Sequence, residues 1–144
     1  MAEMNDTDPR SLLMQHREYQ RRAESLQQQL NMVSLSAQDC QRAITTIEEL
    51  EKEKEGAHTM VPIGSGSFVY AKLDMIDKVV VNVGAGISIE KSVPEAKEIL
   101  QRRKSELDKI LEKMNTTLGQ LAQGMQAIEA HVAALQQGAQ SGTQ

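Results

Sequence analysis

The chain has 144 residues, enough for one domain, and a net charge of −4 with both signs interspersed, which excludes the basic footprint of a nucleic-acid binder. Three aromatics (Tyr19, Phe68, Tyr70) and no tryptophan leave an ordinary globular core without its bulky filling, and Leu, Ile, Ala, Met and Gln supply a coiled-coil vocabulary instead. The N-terminus is acidic without an apolar leader, and no run nears the roughly 20 apolar residues of a membrane span, so a cytoplasmic protein with no membrane partner is expected.

Asp8-Pro9 predicts a helix start, a capping carboxylate before a proline at the first helical position. Leu12, Tyr19, Leu26, Val33, Cys40 and Ile47 then recur every seven residues. Four residues after each come His16, Ala23, Leu30, Ala37, Ile44 and Glu51. This narrow seam of period 3.5 predicts a coiled-coil helix over 9–55, closing in the charged run Glu48 to Glu55 and stopped by Gly56. Cys40, the single cysteine, sits on the seam as a small core residue and excludes an internal disulfide.

Residues 56–93 change character. Val61-Pro62-Ile63 is followed by Gly64-Ser65-Gly66 and Phe68 to Leu73; Val79 to Val83 is followed by Gly84, Gly86 and Ile87-Ser88-Ile89. Short β-branched runs broken by glycine turns predict two successive hairpins. Isolated hairpins are marginal in water, and open strand edges template pairing with other chains. With apolar residues on more than one face of this insert, Val61, Ile63, Phe68, Tyr70, Val79, Val81, Val83, Ile87 and Ile89 are expected to join strands of further subunits in a shared sheet or barrel.

Ser92-Val93-Pro94-Glu95 opens a second helix as a capping box, predicted over 94–137. Its seam is Leu100, Leu107, Met114, Leu121, Ile128 and Leu135, with Leu111, Leu118, Met125 and Val132 between. Gly138 predicts its end, and 138–144 a disordered polar tail. Two helices of roughly 45 residues, each about 65 to 70 Å long, bury single seams by folding back antiparallel, with both termini at one end.

At that end apolar residues outnumber the seam positions. Leu12, Leu13 and Met14 are consecutive and span some 200° of helix, with Met4 just upstream. From Met114 onward the only charged residue is Glu129, whereas Met125, Ile128, Val132 and Leu135 lie among alanines. Met-rich apolar surface suits binding of varied partners. Met4, Leu12, Leu13, Met14, Met125, Ile128, Val132 and Leu135 are therefore candidate contacts for non-native client proteins. The alternative is that alanine is simply a good helix former and the tips meet in an oligomer.

No catalytic or cofactor constellation is present, and an enzyme is not expected. Gly64-Ser65-Gly66 lacks the third glycine of a dinucleotide loop and opens a strand, and no phosphate loop follows it. His16 and His131 fall at the same expected end without a patterned partner at ligand spacing and read as solvated histidines.

The order helix, two hairpins, helix, with Val61-Pro62-Ile63-Gly64, Ser67-Phe68-Val69-Tyr70, Val79 to Gly86 and Glu90-Lys91-Ser92, resembles the alpha-class subunit of prefoldin, the archaeal type most closely. The resemblance covers nearly the whole chain, and two hairpins rather than one point to the alpha class. Ile87 departs from it, standing where many relatives carry an aromatic. It implies a heterohexamer of two alpha-class and four beta-class subunits, with strands in a double-barrel platform and six coiled-coil arms around a cavity. Such a complex captures non-native proteins at the arm tips without ATP and hands them to a group II chaperonin. The rival from another class is a structural or tethering coiled coil with no affinity for unfolded chains; binding of several unrelated denatured proteins by one preparation separates the two.

Overall fold

The computed structural model describes residues 8–141, with side chains placed through Ala139; Met4 lies outside the described residues. The element order is α1 (Pro9–Glu51), β1 (His58–Gly64), β2 (Ser67–Lys72), β3 (Lys78–Gly84), β4 (Ile87–Ser92) and α2 (Val93–Ser141). Two long helices flanking two antiparallel hairpins are what the heptads and glycine turns predict. The described chain divides into two units, Ser36–Leu107 as the first and residues 8–35 with 108–141 as the second.

Both helices start as their caps require. The Arg10 N–H donates to Asp8 Oδ1 at 3.1 Å, and the Glu95 N–H to Ser92 Oγ at 3.4 Å. Their ends differ from the sequence reading. α1 closes at Glu51 rather than 55, passing into tight turns in which the Lys52 and Glu53 amides bond the Glu49 and Leu50 carbonyls. Glu48, Glu49 and Glu51 crowd the negative end of the helix dipole with no basic residue in the last turn, so extending the helix gains little. Gly56, at φ +85°, belongs to the first hairpin, where its N–H donates to the Leu73 carbonyl at 2.7 Å. α2 runs through Gly138 to Ser141, across part of the predicted tail. A glycine costs a helix about 1 kcal/mol, which does not by itself end one.

The hairpins are built alike. β1 pairs with β2 and β3 with β4, each as a separate two-stranded sheet. Each turns on two residues at positive φ, Ser65 and Gly66 (51° and 71°) and Ala85 and Gly86 (52° and 75°), the mirror-image geometry that matches strand twist. Each has a bulge in the same place, between Pro62 and Gly64 and between Asn82 and Gly84.

The first unit has one core: Ile44 and Ile47 from α1, Val81 from β3, and Val93, Ala96 and Leu100 from α2, with Ala43, Val79 and Ile99 packed around them. Each large side chain fully covered there contributes roughly 1.5 to 3 kcal/mol. Lys97 Nζ reaches Glu51 Oε1 at 3.2 Å across the two helices, tying the ragged end of α1 to α2. In the second unit Leu12, Leu121 and Ile128 are buried and the other predicted seam positions are half-buried. There His16 meets Glu129 and Tyr19 lies over Gly124, so the α1 and α2 segments run antiparallel.

Candidate functional site

The β1–β2 hairpin buries nothing. Thr59 and Ala71 are half-covered and every other side chain of the two strands is exposed, Tyr70 at 83%. The register pairs Thr59 with Ala71 and Val61 with Val69 on one face, and Met60 with Tyr70 and Pro62 with Phe68 on the other. Both faces are therefore apolar and both edges unpaired. Ile63, in the bulge, is also exposed. Met60 and Val69 join this surface although strand-by-strand reading singled out only their neighbours; the register is what reveals them.

The β3–β4 hairpin is different. Val79 and Val81 share a face with Ile89, and Val81 is buried among the helices. The Arg103 guanidinium donates to the Asn82 carbonyl at 2.6 Å, and the Val93 N–H to the Asp77 carbonyl at 3.2 Å. The Asn82 side chain meanwhile accepts the Gly84 N–H at 2.8 Å, shaping the bulge. The outward face pairs Lys78 with Ser92, Val80 with Glu90 and Asn82 with Ser88, so Val80 is the single large apolar residue on it. Val81, expected to bind another subunit, instead fills its own chain's core, with Val79 partly covered beside it. Val83, Ile87 and Ile89 remain exposed.

In the second unit the candidate client contacts separate. Leu13 and Met14 are exposed, at 50% and 70%. Leu12 and Ile128 are buried and Met125, Val132 and Leu135 half-buried, because all five are heptad positions taken up by the helix seam. Leu12 and Ile128 are thus not available surface in this state, a correction to the expectation for both. Exposed Met32, Leu35 and Ile110 add apolar surface that the heptad reading passed over; their off-seam positions were the available signal.

His16 is half-buried rather than solvated, its Nε2 2.9 Å from Glu129 Oε1. Glu129, the one charged residue of α2 from Met114 onward, is therefore matched to the imidazole on the α1 seam. His131 is exposed. Among the described residues no group of three His, Cys, Asp or Glu is placed to hold a metal ion, and no helix is long and apolar enough to cross a membrane. What the arrangement offers is apolar contact: a hairpin open on every side, and exposed Leu13 and Met14 beside a seam.

Residues 19–138 match the family model described as Prefoldin subunit. The chain is 48% identical over 132 residues to prefoldin subunit alpha of Methanococcoides burtonii, covering 92% of this chain and 96% of that one. It is 50% identical over 141 residues to prefoldin subunit alpha of Methanosarcina mazei, covering 96% and 99%. Among solved structures it is similar to filamentous PFD from Methanocaldococcus jannaschii, seen by cryo-electron microscopy, with a TM-score of 0.70 and 25% identity over 81% of this chain and 97% of that one.

Proposed function

The chain belongs to the prefoldin family as an archaeal-type alpha-class subunit, and from that premise we propose that it acts in an ATP-independent chaperone that captures non-native proteins. It assembles through its strands with beta-class subunits, two alpha to four beta, in a β-barrel platform. Clients dock on apolar side chains of the α1 and α2 segments and pass to a group II chaperonin. The observation that carries this reading is the exposure of Leu13 and Met14, large apolar side chains left out of a seam that is otherwise filled. Weak contacts of this kind from several subunits add through high effective concentration. Met125, Val132 and Leu135 contribute their half-exposed flanks, whereas Leu12 and Ile128 take part only where the seam opens.

Mixing the chain with a beta-class partner is expected to give a particle of hexamer mass that delays aggregation of several unrelated denatured proteins. Deleting residues 1–15 and 125–144 is expected to abolish that protection and leave the particle mass, less the deleted residues, intact. Undiminished protection after the deletion would place client binding elsewhere, and recognition of one native partner alone would identify a tether.

A further inference from the structure

Resting on the strand-mediated assembly proposed above, we infer that the two hairpins play unequal parts in it: β3–β4 is stabilised by its own helices, whereas β1–β2 is stabilised only when strands of other subunits cover its faces. The difference lies in their partners within the chain. β3–β4 has Val81 in the core, Val79 against it, and the Arg103 and Val93 hydrogen bonds, while its outward face is polar apart from Val80. It needs covering on one side, and there the helices bury Val81 and partly cover Val79, leaving Ile89 near the turn exposed. β1–β2 has no buried side chain, and Val61/Val69 on one face and Met60/Tyr70 on the other are equally uncovered.

A two-stranded ribbon without a covered face is marginal in water. What stabilises it must therefore pair an edge and cover the faces, and several apolar strands from other subunits, closing into a shared sheet around it, do both. A soluble polar ligand would leave the Val61/Val69 face wet. A client chain, being irregular, would not hold the Met60/Tyr70 and Val61/Val69 faces covered together.

Amide hydrogen exchange tests this on the full chain, alone and in the complex with a beta-class subunit. Alone, amides of His58–Gly64 and Ser67–Lys72 are expected to exchange within about tenfold of an unstructured chain, and those of Lys78–Gly84 on the order of a hundredfold more slowly. In the complex both are expected to be protected, the first hairpin gaining most. Equal protection of the two hairpins in the free chain overturns the inference and leaves strand-mediated assembly standing. A complex of full mass that adds no protection at residues 58–72 overturns both. Two exposed-site variants give a second readout. Tyr70→Asp places an unpaired charge on a face that becomes covered and is expected to cut incorporation by at least about tenfold. Ser88→Asp, on the outward face of the second hairpin, is expected to leave it unchanged, and equal losses from the two variants count against unequal roles.

Discussion

Among the described residues Ala85 is the one alanine held at positive φ, 52°, in the position that Ser65 occupies in the first hairpin. A left-handed backbone costs an L-residue roughly 1 to 2 kcal/mol, more than the additional chain entropy a glycine loses on folding. Ala85→Gly is therefore expected to stabilise the chain by up to about 1 kcal/mol, read as a higher urea midpoint with an unchanged slope. The helix glycines sort by their neighbours in the same way. A Cβ at Gly119 meets nothing within 4 Å, so Gly119→Ala is expected to gain close to the 1 kcal/mol or so that separates the two residues in a helix. At Gly124 the same Cβ lies 2.7 Å from Tyr19 Cε2, and the ring has to leave its place on the helix. Gly124→Ala is expected to fall below Gly119→Ala in thermal stability, and replacing Tyr19 with Leu to narrow the gap. Equal gains at both sites would mean that the ring is not held there.

Between the elements, sequence period reported direction well and coverage poorly. Leu12, Tyr19, Leu26, Val33, Cys40 and Ile47 are all buried or half-buried, as a 3.5-residue repeat requires, and the glycine turns lie where the hairpins turn. A heptad position and a sticky surface use the same side chains, however, so Leu12 and Ile128 were legible as apolar but not as already sealed. The hairpins repeat that ambiguity. A valine run says that neighbouring residues face opposite ways; it does not say which face meets the helices. The packing decides this for Val80 and Val81, and it sets their stability roles apart. Val81→Ala removes two methyl groups from the core of the first unit and is expected to cost roughly 1 to 3 kcal/mol in urea unfolding of the isolated chain. Val80→Ala, on the outward face, is expected to change it by less than about 0.5 kcal/mol. Loss of assembly in a Val81→Asp chain would accordingly report unfolding of the chain's own core, and Tyr70→Asp is the cleaner probe of contact between subunits.

Across the whole molecule the two proposed tasks fall to different units: assembly to the strands of Ser36–Leu107, and client capture to the helix segments of the other. The second unit offers a client two kinds of surface. Residues 9–35 of α1 carry Arg10, Arg17, Arg21 and Arg22 against Glu18 and Glu24, a local positive balance able to attract acidic chains, besides exposed Leu13 and Met14. Salt separates them, because the screening length shrinks to about 3 Å at 1 M ionic strength while apolar contacts are not weakened. Capture of a denatured protein by the assembled complex is expected to persist at 1 M NaCl. It is expected to drop at any salt when Leu13 and Met14 are both changed to serine. Each such change removes about 1 kcal/mol per engaged copy, so both changes in two copies on one client lower affinity by roughly a thousandfold. Capture that vanishes in salt and survives the serine pair would assign the work to the arginines, and the exposed leucine and methionine would then be surface without a task.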